Sequence, residues 1–252
     1  MELTVLGSSS RGNAYVLQNA GEALLIEAGI NFKEVVKALG YDVEKVQGCL
    51  VSHEHGDHAG HINEVLAYGL PVYASAGTIE GAQRFIKTDY KPIAFYKRES
   101  GYEPLSLGRF EVIPFPTQHD AQEPTGFYIW HPETGGVLFA TDTYYINNRF
   151  EGLNNILLEC NYDQEQLEAN LMAGSIDAAR YRRIRESHLS IDQCIATLLA
   201  NDLKHVNNIV LIHLRADNGN AYRFRQRVAA ATHKRVTVAE PGLKICFNKE
   251  PF

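Results

Sequence analysis

The stretch that most constrains this chain is Ser52-His53-Glu54-His55-Gly56-Asp57-His58. Three imidazoles and two carboxylates fall within seven residues, directly after the apolar run Cys49-Leu50-Val51. Imidazole suits zinc, copper, iron and nickel, and carboxylate suits harder cations. On a tight loop leaving a buried strand, such a mixed set can hold two metals side by side. His53 and His55, two apart, can reach one ion. Asp57 and His58, after the turn at Gly56, can reach the next. A solvated, histidine-rich surface loop is the plain alternative. His-x-His-x-Asp-His after a strand pattern is a far more specific signal than a lone histidine. His61, three residues past His58, is expected beside the site or on the surface rather than as a ligand.

The motif His53-Glu54-His55-Gly56-Asp57-His58 resembles the signature of the metallo-β-lactamase superfamily. The resemblance implies an α/β fold, a four-layer αβ/βα sandwich of two mixed β-sheets with a dinuclear metal site at one edge. It also implies ligands downstream, and three positions match. His119 ends the alternating stretch Phe110–Phe115, Asp142 follows Leu138-Phe139-Ala140-Thr141, and His213 lies at the end of Asn208–Leu214. On that pattern His53, His55 and His119 hold one ion, Asp57, His58 and His213 the other, and Asp142 bridges. The implied cofactors are two divalent metal ions, zinc or manganese, with iron also suited. Such ions lower the pKa of a shared water toward ~7. The expected reaction is hydrolysis, with Asp57 also orienting or deprotonating that water.

Surrounding residues bear on the substrate. Gly7-Ser8-Ser9-Ser10-Arg11-Gly12-Asn13 reads as a loop between strands. Ser8, Ser9, Ser10 and Asn13 could present hydroxyls, an amide and backbone N–H groups to a phosphate. An ordinary strand connection is the equal alternative. Ser187-His188-Leu189-Ser190 lies between Asp142 and His213. In the phosphodiesterase branch of the superfamily a histidine in that interval protonates the leaving oxygen, and His188 takes that position. Capping the next helix is its alternative role. His213-Leu214-Arg215-Ala216-Asp217-Asn218 and the opening Gly-Ser-Ser-Ser-x-Gly-Asn are similar to motifs of a single-domain bacterial branch, the YycJ/WalJ type. That branch implies 5′-to-3′ DNA exonuclease activity. Arg215 stands where the branch has Ser, and Ser187 where it has Gly. Arg215 and Asn218 become candidate phosphate-binding residues, since Arg can engage a phosphate bidentately.

Composition sets the remaining bounds. At 252 residues and 45% hydrophobic, one domain over residues 1–252 is expected. No run of 18 apolar residues exists, so no membrane partner is expected. The opening Met-Glu-Leu-Thr-Val lacks a basic region followed by an apolar one, so a cytoplasmic location is expected. Cys49, Cys160, Cys194 and Cys246 are widely spaced and form no C-x-x-C, which favours free thiols. Net charge is −6, which alone speaks against nucleic acid. Its distribution does not. Residues 1–177 carry 11 basic and 24 acidic groups, and residues 178–252 carry 13 basic and 6 acidic. The C-terminal quarter is therefore suited to face an anion.

Three readings follow. A metal-dependent nuclease, acting on DNA in preference to RNA, explains both the general-acid histidine and the basic flank. A hydrolase of a small thioester or lactone needs neither. A non-catalytic redox scaffold lacks support, because no flavin domain or altered ligand set is evident. Residues 87–110 are irregular and polar, with short extended pieces at Ile93–Phe95 and Pro104–Leu107, and no chemistry is assigned to them.

Overall fold

Apolar runs that alternate at the edges and become continuous in the middle fold into two seven-stranded sheets. The computed structural model describes residues 1–250. In chain order, the first part supplies β1 (Glu2–Ser9), β2 (Gly12–Gln18), β3 (Ala23–Ile26), α1 (Phe32–Ala38) and β4 (Val46–Leu50). Then follow α2 (Gly56–Ala59), α3 (Ile62–Ala67), β5 (Val72–Ala74), α4 (Ala76–Ala82) and β6 (Ile93–Ala94). The hairpin β7 (Lys97–Arg98) and β8 (Gly101–Tyr102) precedes β9 (Leu105–Leu107). The second part supplies β10 (Phe110–Pro116), β11 (Thr125–His131), β12 (Gly135–Ala140), β13 (Leu153–Glu159), α5 (Gln164–Met172) and α6 (Ala178–Ser187). It closes with α7 (Ile191–Leu199), β14 (Asn208–Ile212), α8 (Ala221–Thr232), β15 (Val236–Val238) and β16 (Lys244–Cys246).

One sheet has the order β16-β1-β2-β3-β4-β5-β6 and the other β15-β14-β13-β12-β11-β10-β9. Both are mixed. β3 to β6 run parallel to one another, as do β12 to β15. Strands of this kind are covered on both faces and read as continuous apolar runs. The facing sheets enclose a core containing Val5, Leu17, Ile26, Phe127, Phe139 and Val210. Outside the first sheet, Leu25, Cys49 and Val51 meet Phe32 and Val35 of α1 and Ile62 and Val65 of α3. Outside the second, Ile156, Leu158 and Leu211 meet Ile191 and Leu198 of α7 and Phe224 and Val228 of α8. The four layers match the expected αβ/βα sandwich. Each such fully buried large apolar side chain contributes about 1.5–3 kcal/mol. No helix among the described residues is long and apolar enough to cross a membrane.

Local signals explain the helix starts. Asn31 Oδ1 accepts from the Lys33 N–H at the head of α1 (3.0 Å). Ser190 and Gln193 form the reciprocal capping box that their spacing predicts for α7. Two expectations are corrected and a third is extended. Gly7–Asn13 is not an open loop: β1 runs to Ser9 and β2 begins at Gly12, whose φ of +150° permits the tight reversal. The last buried strand ends at Ile212 rather than Leu214, because His213 adopts a left-handed backbone (φ 53°). Within residues 87–110 the extended pieces expected at Ile93–Phe95 and Pro104–Leu107 are the edge strands β6 and β9, and the β7–β8 hairpin, too short to show a period, is added.

At the end of the sandwich remote from the histidine motif, Glu22 joins the sheets. Its Oε1 accepts from His131 Nε2 (3.0 Å) and Arg109 Nε (2.6 Å). The His131 Nδ1 accepts from the Glu133 N–H (3.1 Å), so Nε2 carries the proton. Burial raises the Glu22 pKa, but the His131 and Arg109 hydrogen bonds outweigh it and hold the carboxyl below its ordinary value. We expect Glu22→Ala to cost about 1–3 kcal/mol in chemical denaturation at neutral pH, since it strands a buried ring N–H. A depressed carboxyl stabilises above its unfolded pKa and ceases to as pH falls through its folded one. The difference between wild type and variant should therefore shrink on acidification below about pH 4.

Candidate metal centre

The site is built where parallel strands end. β4 feeds the loop carrying His53, His55, Asp57 and His58. β12, β13 and β14 are adjacent and parallel, with Ala140 paired to Leu158 and Glu159 to Ile212. Their C-terminal ends deliver Asp142, Glu159 and His213 to one edge. β10, antiparallel to β11, which is antiparallel to β12, ends at the same edge and leads to His119. Ligand sites outside the carboxyl ends of strands are the rule for parallel sheets.

All seven residues expected as ligands converge. His53, His55, His119 and Asp142 offer one group of donor atoms, and Asp57, His58, Asp142 and His213 a second. Asp142 belongs to both. His55 Nδ1 lies 3.1 Å from His53 Nε2 and 3.1 Å from His119 Nε2. Asp142 Oδ2 lies 3.5 Å from His53 Nε2, 3.6 Å from His119 Nε2 and 3.2 Å from His58 Nε2. Asp142 Oδ1 lies 3.4 Å from His213 Nε2. These spacings match the ligand–ligand edge of about 3.3 Å for a tetrahedral ion with bonds of about 2.0–2.1 Å.

Hydrogen bonds settle which nitrogens point inward. His119 Nδ1–H donates to the Ser187 carbonyl (2.9 Å), so its Nε2 presents a lone pair. The Asn13 amide nitrogen donates to the carbonyls of Ser9 and Asp57 (3.1 Å each). Its Oδ1 must then accept from His213 Nδ1 (3.2 Å), which leaves the His213 Nε2 lone pair facing Asp142. Lone pairs aimed at one another and at a carboxylate repel unless a cation lies between them, so the donor set fits divalent metal. Such outer partners fix tautomer and ring orientation.

The electrostatics follow from burial. Burial pushes the Asp142 pKa up, but His213 and His58 hold it well below the carboxylate range. Burial and the neighbouring His58 push His53 well below the imidazole range. His58 is lowered by burial yet raised further by Asp142 and Glu27, and ends well above it. Glu27 (φ 68°), Asp142 (φ 43°) and His213 (φ 53°) all sit in the left-handed region, where non-glycine residues are strained.

His188 sits across from the two groups. Its Nδ1 donates to Glu159 Oε1 (2.7 Å), and its ring stacks on His213 with centroids 5.7 Å apart. Burial lowers its pKa, and Glu159 more than offsets this, leaving it raised. Glu159, fully buried, also accepts from the Thr143 and Leu189 N–H groups and Asn161 Nδ2. A cavity of about 400 Å³ opens over the site, lined by His55, Gly56, Asp57, His119, Asp142 and His213. Ser10, Arg180, Arg183, Ile184, His188 and Arg215 complete it.

The expected phosphate-binding residues divide. Ser10 and Arg215 line the cavity. Ser8 does not: it is buried, and its Oγ accepts from the His213 N–H (2.8 Å). Ser9 Oγ accepts from the Arg11 N–H (3.2 Å). Asn13 braces Asp57, His58 and His213, and Asn218 is buried behind the site against Asn170. His61 pairs with Glu64 (2.8 Å) and lines no part of the cavity. Sequence reasoning passed over Glu159, Glu27, Arg180 and Arg183. A carboxylate ending an apolar strand, as at Glu159, was a usable signal, being the same pattern that marked Asp142.

With this geometry in hand, comparison with known proteins defines the class. Residues 15–214 match the family described as the Beta-lactamase superfamily domain. The chain belongs to the metallo-β-lactamase superfamily, as a YycJ-like member. It is 32% identical over 246 residues to the Exodeoxyribonuclease YycJ of Bacillus anthracis, covering 91% of this chain and 88% of the relative. It is 27% identical to the Exodeoxyribonuclease WalJ of Streptococcus pneumoniae, covering 85% and 82%. The metallo-β-lactamase fold protein YhfI from Bacillus subtilis shares the fold, with a TM-score of 0.70 at 20% identity over 97% of this chain and 98% of that one.

Asn13 provides a test that needs no substrate. We expect Asn13→Ala to weaken metal binding about 10–100-fold, the usual cost of losing an outer partner. Competition against a chromophoric chelator measures it.

Proposed function

We propose that this protein is a nuclease that hydrolyses DNA from the 5′ end with two divalent ions. The coarser class, a metal-dependent hydrolase of phosphodiester bonds, is that of the exodeoxyribonuclease relatives aligned along most of the chain. The observation that supports phosphodiester chemistry at this site is a set of groups rather than a single residue. A carboxylate shared between two donor groups, a histidine backed by a buried carboxylate, and three arginines face one cavity.

In this reading His53, His55, His119 and Asp142 hold one ion, and Asp57, His58, Asp142 and His213 the other. When bound, the ions supply a water of lowered pKa and neutralise charge on the phosphate. Asp57 orients the attacking water and accepts its proton. His188, held through Nδ1 by Glu159, turns Nε2 toward the cavity and donates a proton to the leaving oxygen. An alkoxide is a poor leaving group, so this matters for a phosphodiester far more than for a thioester or lactone. Arg180, Arg183 and Arg215 engage phosphate oxygens. Their present partners are carboxylates: Asp217 for Arg180 and Arg215, and Asp120 for Arg183. These exposed pairs are weak, and a phosphate of the substrate can take the carboxylates' place.

The test is nucleotide release from 5′-phosphorylated duplex DNA with manganese or zinc. His188→Ala should lower turnover by about 10²–10⁴-fold with metal content unchanged. Equal turnover by wild type and variant would remove the general-acid role. Thioester or lactone turnover without any cleavage of DNA or RNA would move the function to acyl hydrolysis.

A further inference from the structure

The stretch from Gln83 to Arg98 carries Arg84, Lys87, Lys91, Lys97 and Arg98 against one acid, Asp89. Its balance is +4, whereas the remainder of residues 1–177 balances −17. Aromatic residues are interleaved with the cations. Phe95 is buried, but Tyr90 and Tyr96 are 60% and 68% exposed. Arg84, Lys87 and Lys91 are exposed too, and none forms an ion pair among the described residues. Lys97 and Arg98 meet Glu123 (2.6 Å) and Glu103 (2.8 Å) in solvent-exposed pairs.

This stretch borders the metal centre. The Arg84 Nη2 donates to the carbonyl of Glu54, inside the histidine motif (3.3 Å). The Phe85 ring comes so near Gly56 that a Cβ there would lie 3.7 Å from it. The Lys87 and Thr88 N–H groups donate to Asn63 Oδ1 (2.7 and 2.9 Å), tying the chain over the start of α3. β4, β5 and β6 are parallel, so Tyr96 leaves the sheet at the edge where the histidine motif leaves it. Two strand spacings, about 10 Å, separate β4 from β6. Lys97 is anchored to Glu123, in the segment that follows His119.

We propose that residues 84–98 form a track for one strand of nucleic acid on the first-sheet side of the site. This rests on the nuclease reading and adds the surface that holds the chain beyond the reacting phosphate. Arg84, Lys87 and Lys91 follow the phosphates, and Tyr90 and Tyr96 stack on bases. Cations along a backbone combined with exposed rings are the means by which single strands are bound without sequence preference.

The test measures binding of a 3′-labelled single-stranded oligodeoxynucleotide by fluorescence anisotropy across a salt series, with the intact protein. Lys87→Ala/Lys91→Ala should make the slope of log K against log salt shallower by about 1.4, at about 0.7 per lost phosphate contact. Tyr90→Ala/Tyr96→Ala should weaken binding roughly tenfold or more, and Lys87→Arg/Lys91→Arg should restore the slope. All four side chains are exposed, so melting temperatures should match the wild type. Wild-type slope and affinity in both alanine variants, or no binding by the wild type, would overturn the track. Binding is read without turnover. A wild type that cleaves no nucleic acid therefore counts against the nuclease reading, while the binding result alone decides the track.

Discussion

The structure depends on placing one carboxylate, Asp142, where it is least comfortable. The residue is 3% exposed and lies within 3.2–3.6 Å of four imidazoles. Taking such a charge out of water costs several kcal/mol unless opposite charge and hydrogen bonds replace the solvent. Neither sheet can supply that environment alone. The β4 loop of one sheet brings His53 and His58, and the strand ends of the other bring His119, His213 and Asp142 itself. The sandwich thus serves to press two rows of strand ends together at one edge. Closing the opposite end with Glu22 and His131 holds the sheets in register for that purpose.

How much of this was legible in the sequence depended on the distance over which the information is stored. The histidine motif is local, so its residues and their pairing could be read directly. His119, Asp142 and His213 were legible only because a known family pattern says where partners fall. Glu159 was marked by its place at the end of an apolar strand, but its role was not legible, because that role exists only once β13 lies beside β12 and α6 returns His188 to it. The arginines of α6 counted only toward a basic C-terminal quarter, since periodicity cannot say that Arg180 and Arg183 overhang a cavity. The serine-rich opening left a phosphate loop and an ordinary strand connection equally open. Hydrogen bonding makes part of it a brace, with Ser8 on the His213 backbone and Asn13 on His213, Asp57 and His58, while Ser10 lines the cavity.

That brace explains how strain is tolerated. His213 and Asp142 hold left-handed conformations that cost of order 1–3 kcal/mol each. The His213 backbone is pinned on both sides, its N–H by Ser8 Oγ and its carbonyl by Asn161 Nδ2 (2.9 Å). Asn161 also donates to Glu159, so the strained turn and the His188 support are coupled through one amide. Gly29 completes the packing from the other sheet: a Cβ there would lie 1.8 Å from the Asp57 carbonyl, so only glycine lets that backbone approach.

The charge pattern bears on how an acidic protein could accept a polyanion. Net charge sets long-range attraction, but affinity for a phosphate backbone comes from cations at the surface it touches. Here Arg180, Arg183 and Arg215 line the cleft, and residues 84–98 add five cations beside the histidine motif. Several cations are held by exposed carboxylates, Asp120, Asp217, Glu103 and Glu123. A carboxylate competes with a phosphate for the same guanidinium fork, and at the surface it competes weakly. The pairs of Arg180, Arg183 and Arg215 keep long side chains in place at the cleft at little cost to their release. An anion entering the cleft then exchanges one partner for another rather than ordering free chains, which lowers the entropy lost on binding.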